Sequence, residues 1–228
     1  MAKKAGLVFL HGSGDSGEGI EMWLTQASSG KFNTFLAEGG VVAVYPNAPV
    51  VPYSLMGGQP LAVWFDRIGM KYEAPEDQAG ITRSVSQVDA EIDRLVALGI
   101  PENRIAVAGF SMGGCLALHV GYGAGKYSGK LGAVACMSSF LPEDSLLDKG
   151  IAKSESLPPL FMAHGAADPM IRLEWAKSTR GRLEAAGVPV PTEVLVFQGL
   201  MHSMCESELD QLGEFLAKHL LSREGGGK

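Results

Sequence analysis

An open α/β fold, with a mostly parallel central sheet flanked by helices, is what this sequence predicts. Three observations carry that prediction. Six short apolar runs end in turn signals: "AGLVFL" (5–10), "VVAVYP" (41–46), "RIAVAG" (104–109), "LGAVACMS" (131–138), "PLFMAH" (159–164) and "EVLVFQG" (193–199). They are nearly continuous rather than alternating, which is how strands buried on both faces read. Helical patterns lie between several of them, and strand–helix alternation is the signature of an open α/β sheet.

The first apolar run, 5–10, stops at His11 and opens into the glycine-rich "HGSGDSGEG". The second ends in Tyr45 and Pro46. In 83–98, Val85, Val88, Ile92, Leu95 and Val96 recur at helical spacing, and "GIPENR" then breaks the helix before the third run. A helix follows Ser111 through "CLALHVGYGAG", "LEWAKSTRGRLEAAG" (173–187) reads as another, and "ESELDQLGEFLAKHLL" (206–221) closes the pattern with Leu209, Leu212, Leu216 and Leu220 on one side. Residues 47–80 show neither period. They are rich in Pro, Gly and aromatics, and a stretch of that length in an α/β protein commonly shapes a site. No linker or repeat divides the chain, so residues 1–222 are expected to form one domain and 223–228 a disordered tail.

Bulk properties exclude several functions. The 228 residues carry 19 Lys and Arg against 25 Asp and Glu, a net charge of -6, with no basic run longer than two. Nucleic acid is therefore not the expected partner. No stretch of 18 apolar residues occurs, so stable membrane insertion is not expected. The three cysteines, Cys115, Cys136 and Cys205, form no metal-binding spacing, and with no signal peptide pattern they point to a reducing compartment and a cytoplasmic location.

The segment Gly109-Phe110-Ser111-Met112-Gly113 lies between a strand pattern and a helix pattern, the context of a nucleophile elbow. There the chain reverses sharply. Side chains two positions before and after the serine would collide, hence the glycines. A serine needs a base. Of His11, His119, His164, His202 and His219, only His202 follows the last strand pattern in a strand-end loop, the place that the order Ser, acid, His requires. His119 reads as a packed or surface residue and His219 as an exposed one. Asp168 follows the strand at 159–164 and is the candidate acid. Asp144 and Asp148 look like a solvated face, and Asp66 precedes the serine. The intervals are 57 and 34 residues. The backbone N–H groups of Met112 and of Ser13, in the loop after the first strand, are candidates for an oxyanion hole. Asp15 is a candidate to tie that loop to a nearby N–H. Gly12-Ser13-Gly14-Asp15-Ser16-Gly17 also fits the letters of a dinucleotide fingerprint, but no acid follows the second strand to hold a ribose.

Taken together, "FLHGSGDSG", "YPNAPVVP", "WFD", "GIPENRIAVAGFSMGG", "HGAAD" and "MHSMCESEL" resemble the acyl-protein thioesterase and lysophospholipase-like family of α/β-hydrolases, and most nearly its lysophospholipase-like 1 branch, which carries a serine, a methionine and "SSFL" where Ser13, Met112 and Ser138–Leu141 stand. The resemblance covers nearly the whole chain. It implies an α/β-hydrolase fold, Ser111, Asp168 and His202 as a catalytic triad, and Ser13 and Met112 as oxyanion donors. It implies hydrolysis of acyl esters or thioesters, an S-acylated protein among the candidate substrates, in a cytosolic enzyme that needs no cofactor and is a homodimer in some members. The thioesterases proper carry Leu and Gln where Ser13 and Met112 stand, and their acyl channel is built by loops matching about 50–80, which differ most here. The family's usual extra residues before the first strand are also missing. Short to medium acyl chains are therefore expected, with Trp64, Phe65 and Met201 as substrate contacts. Long-chain palmitoyl-protein thioesterase or lysophospholipase activity, and a non-catalytic hydrolase-like binding protein, are the alternatives.

Overall fold

The computed structural model describes residues 4–151 and 156–222. The expected tail at 223–228 lies outside the described residues. In chain order the elements are β1 (Ala5–Leu10), α1 (Gly17–Ala27), α2 (Lys31–Gly39), β2 (Val41–Val44), β3 (Val50–Tyr53), β4 (Gln59–Ala62), α3 (Gln78–Ala97), β5 (Ile105–Phe110), α4 (Met112–Tyr122), β6 (Ala133–Met137), β7 (Leu160–Gly165), α5 (Leu173–Ala185), β8 (Leu195–Phe197) and α6 (Glu206–Leu216). A π-helical turn, Ala217–Leu221, extends α6.

All six apolar runs become strands of one sheet, ordered β2-β1-β5-β6-β7-β8 and parallel throughout. Side chains alternate across it. Leu7 and Phe9 face a core shared with Ile20 and Leu24 of α1, Phe32 and Leu36 of α2, and Leu209, Leu212 and Leu216 of α6. Val8 and Leu10 face the opposite core, with Ile81, Val88, Ile92 and Leu95 of α3 and Leu116 and Leu118 of α4. The stripe on α3 is buried along its length, and each such side chain contributes about 1.5–3 kcal/mol relative to exposure.

Helix α3 starts five residues ahead of the periodic stretch at 83, because the Asp77 carboxylate accepts the Gly80 N–H at 2.9 Å and caps it. Helices α1 and α2 go beyond what the spacing predicts. Each shows only one clear apolar pair four apart, Ile20/Leu24 and Phe32/Leu36, too few to establish a period. A cap signal does precede α1: the Ser16 side chain accepts the Gly19 N–H at 3.0 Å. Ser16, not Asp15, is thus the residue that binds a backbone N–H there.

The region 47–80 holds a separate hairpin. β3 and β4 pair antiparallel, with Pro52 opposite Pro60. Proline removes a ladder donor and suppresses the strand signal, yet a two-stranded ribbon tolerates it because its outer edges pair with nothing else. The hairpin is fastened to the first loop, since Gly14 N–H donates to the Ala62 carbonyl at 2.8 Å.

Glu208, in the first turn of α6, is fully buried. Burial pushes its carboxyl from 4.5 up to about 8. The folded protein therefore keeps this proton where the unfolded chain has lost it. The associated stability is fully present below about pH 4.5 and is lost as pH rises toward about 8. Glu208→Gln, which is neutral at every pH, is expected to flatten that slope and to raise Tm at pH 8 by about 5 °C or more. Thermal unfolding of both proteins across this range checks it. Parallel Tm profiles would contradict the buried-acid account.

Candidate active site

The sheet order reverses around β1, which has β2 on one side and β5 on the other. In open α/β sheets the crevice for ligands opens at such a point, beyond the carboxyl ends of the strands. The loop after β1 carries Ser13, and Ser111 follows β5 directly. Loops after β7 and β8 bring Asp168 and His202 to the same edge.

The turn at Ser111 is strained. Its φ is 56° and ψ is -121°, a positive φ that costs a non-glycine residue about 1–3 kcal/mol. Three hydrogen bonds hold it: Ser111 N–H to the Met137 carbonyl at 2.9 Å, and the N–H groups of Gly114 and Cys115 to the Ser111 carbonyl at 3.0 and 3.2 Å. The flanking glycines are required. A Cβ on Gly109 would lie 2.3 Å from the Gly113 carbonyl, and one on Gly113 would lie 2.2 Å from the Leu10 carbonyl oxygen of β1. Gly12 is similarly placed, since a Cβ there would come within 3.3 Å of the Ser111 Cβ.

His202 joins the other two residues. Its Nε2 lies 3.0 Å from Ser111 Oγ and its Nδ1 lies 2.7 Å from Asp168 Oδ2. A carboxylate only accepts, so Nδ1 carries the proton and Nε2 offers a lone pair to the Ser111 hydroxyl. The imidazole also packs on Phe110, with ring centroids 4.8 Å apart. The Asp168 side chain is fully buried. Its Oδ1 accepts the N–H groups of Met170 and Ile171 at 2.8 and 2.9 Å. The His202 loop reaches β7 closely because Gly165 has no side chain; a Cβ there would lie 2.4 Å from the Met201 carbonyl oxygen.

Ser13 lies beside Met112, its Oγ 3.7 Å from Met112 Sδ. Met112 opens α4, so its N–H has no partner within the helix. The loop is anchored from beneath. His11 is fully buried, and burial lowers its pKa, so the ring is neutral. Its Nδ1 pairs with the Gly12 carbonyl at 2.7 Å and its Nε2 accepts the Ala48 N–H at 3.0 Å.

Two expected substrate contacts need correction. Trp64 is fully buried, and its Nε1–H donates to the His11 carbonyl at 2.9 Å. It supports the loop bearing Ser13 and presents no surface to a ligand. Phe65 is 2% exposed and lies under the Arg67 guanidinium. Met201 is 58% exposed beside His202. The remaining histidines lie elsewhere. His164 meets the acid rather than the serine: its Nε2 is 2.9 Å from the Ile171 carbonyl oxygen and 3.5 Å from Asp168 Oδ2. Burial lowers its pKa, leaving a neutral ring whose N–H donates to that carbonyl and braces the turn around Asp168. His219, expected to be exposed, is partly buried against Phe215, 4.7 Å between ring centroids.

His119 is buried with Glu76, its Nε2 3.1 Å from Glu76 Oε1, and Cys115 is close enough that one ligand atom from each of the three falls within 4.8 Å of the others. Glu76 also accepts from the Ser145 hydroxyl at 2.9 Å and from the Leu146 N–H at 2.7 Å. Its acceptor sites are thus filled by protein, and the cluster reads as an internal ion pair that ties the 66–77 segment to α4. Asp66 accepts from the Ser54 N–H at 2.8 Å. Asp148 pairs with Arg182, and Asp144 is exposed. Cys205 is partly exposed at the start of α6.

The fold and this edge of the sheet define a serine hydrolase of the α/β-hydrolase type. The sequence matches the phospholipase/carboxylesterase family over residues 1–220, and the chain belongs to that family. It is 33% identical over 223 residues to lysophospholipase-like protein 1 of Mus musculus, covering 97% of this chain and 90% of that one. It is 32% identical over 223 residues to acyl-protein thioesterase 1 of Neurospora crassa, covering 95% and 87%. The solved structure of SOBER1 from Arabidopsis thaliana superposes with a TM-score of 0.80 at 27% identity, covering 95% and 99%. These likenesses make the protein a carboxylic ester and thioester hydrolase. Among the described residues no helix is long and apolar enough to cross a membrane.

Proposed function

We propose that Ser111 is the nucleophile of this enzyme, His202 its general base and acid, and Asp168 the carboxylate that orients the imidazole. One observation supports the assignment most: His202 stands within hydrogen-bond reach of both Ser111 and Asp168. His202 Nε2 takes the Ser111 proton as Oγ attacks the acyl carbon. The N–H groups of Ser13 and Met112 receive the negative oxygen. The alcohol or thiol leaves with the proton from His202, and an acyl-serine remains. Water then gives one proton to His202 and attacks the acyl carbon, the bond to Ser111 Oγ breaks to release the acid, and His202 returns its proton to Oγ. An S-acyl group on a protein undergoes the same attack as any thioester.

The substrates best supported carry short to medium acyl chains. Trp64 and Phe65 are withdrawn into the core. A cavity of about 620 Å³ abuts the loop after Asp168 at Pro169 and Met170, and its lining of Lys71, Glu73, Arg172, Met70 and Trp175 includes none of Ser111, Asp168 and His202. A long chain gains about 0.8 kcal/mol for each methylene buried on apolar surface, and covering charged groups forfeits that gain. The test is kcat/KM for nitrophenyl esters and matched thioesters from about two to sixteen carbons. The expected result is a steep fall beyond about four to eight carbons. A continued rise to sixteen would favour palmitoyl or lysophospholipid substrates.

A further inference from the structure

We infer that Arg67 is a specificity residue of this site, selecting ester or thioester substrates that carry an anionic group, a carboxylate or a phosphate, within a few bonds of the scissile carbonyl. The inference rests on the serine-hydrolase reading of Ser111.

Arg67 is 7% exposed. Its guanidinium lies over Phe140, 4.7 Å from the ring centroid, and over Phe65, 5.3 Å from that centroid. Among the described residues it forms no ion pair and its guanidinium makes no hydrogen bond. The adjacent Asp66 carboxylate is engaged by the Ser54 N–H, the Ser54 hydroxyl and the backbone N–H of Arg67, not by the guanidinium. A nearly buried cation with no anion is unusual, because removing a charge from water is costly unless something replaces the solvent. Aromatic faces replace part of it. Among the described residues no protein acceptor takes its N–H donors. Those donors form a rigid fork suited to a carboxylate or phosphate.

The position is the relevant one. Phe140 lies three residues past Met137, whose carbonyl accepts the Ser111 N–H. On the other side, the Tyr53 phenol is pushed up by burial and pulled down by the Ser13 side chain and by the Arg67 charge, which places it near both. Ser13 in turn touches Met112. Phe140 thus links Arg67 to the chain leaving β6, and Tyr53 links it to the loop bearing Ser13. Both segments meet the elbow, through the Met137 carbonyl and through Gly12, and in this proposal an anion on the substrate reaches the fork from that side.

The experiment compares kcat/KM within matched pairs of esters. On the acyl side, the pair is the methylumbelliferyl monoester of glutaric acid and the pentanoate ester. On the leaving side, it is butanoyl glycerol phosphate and butanoyl glycerol. The expected result is a preference for the anionic member of one pair by about tenfold or more, which also assigns the side. In Arg67→Met that ratio falls about tenfold or more, and in Arg67→Lys it falls less, because an ammonium keeps the charge but not the fork. Circular dichroism verifies that the variants fold. Independently of any variant, free glutarate or glycerol phosphate should inhibit wild-type turnover at lower concentration than pentanoate or glycerol. Equal turnover within both pairs, or a ratio unmoved by Arg67→Met, would overturn the anion preference while leaving the esterase reading intact. Absence of turnover with all four esters would overturn the esterase reading and the preference with it.

Discussion

Ser111→Ala is expected to lower kcat for a short ester by a factor on the order of 10⁶, leaving only the small rate that substrate binding and the N–H groups of Ser13 and Met112 can supply. The fold should survive. Alanine at this position bears the same positive φ as serine, and the three backbone bonds that hold the elbow do not involve the hydroxyl. The variant should thus unfold within about 2 °C of wild type, a small shift by the usual relation between stability and Tm. Steady-state hydrolysis of a nitrophenyl ester together with a melting curve checks both parts. Wild-type turnover in a folded Ser111→Ala protein would remove Ser111 from the chemistry.

Asp168→Asn should cost about 10⁴-fold in kcat. The two backbone donors at Oδ1 decide how the amide sits. The Met170 and Ile171 N–H groups require an acceptor, so the asparagine oxygen stays there. The amide nitrogen then occupies the place of Oδ2 and points an N–H donor at His202 Nδ1. The imidazole must accept at Nδ1 and carry its proton on Nε2. In that tautomer it cannot take the proton of Ser111. The opposite rotamer would aim the amide at two buried N–H groups, which is worse. The loss should therefore appear in kcat with a near-normal Tm. A kcat within tenfold of wild type would show that Asp168 does not set the tautomer.

Much of this arrangement is legible in the sequence because parallel-sheet strands, buried on both faces, write themselves as apolar runs. All six runs form the sheet, and the loops after β7 and β8 carry Asp168 and His202 to the edge where Ser111 stands. The elbow glycines are also readable. Gly109 and Gly113 would clash with backbone if they bore a Cβ, as the sharp reversal demands. The failures have equally local causes. Helices α1 and α2 pack through too few residues to show a period. Hairpin β3–β4 is masked by Pro52 and Pro60, which sit opposite one another. Trp64 and Phe65 are large aromatics in the Pro- and Gly-rich segment 47–80. Whether such residues face a ligand or the core depends on how the hairpin docks, and no spacing encodes that. His164 and Arg67 are the sharpest omissions. The first acts on the loop of Asp168 and not on the nucleophile, so chain order excludes it correctly from the base role but says nothing of its bracing contact. The second is an ordinary arginine in sequence. Only the folded chain shows that two aromatic rings hold it, with no counter-ion among the described residues.

The central claim is that Ser111 becomes covalently acylated with His202 as its base. Mass spectrometry after reaction with a fluorophosphonate tests this most directly, because the reagent traps a serine only when a base activates it and neighbouring N–H groups stabilise the oxyanion. The account predicts a single stoichiometric adduct on the peptide containing Gly109 to Cys115, located on Ser111, and slowed by orders of magnitude in His202→Ala. An adduct on Ser13 or Ser138 instead, or no adduct on protein that hydrolyses esters, would contradict it.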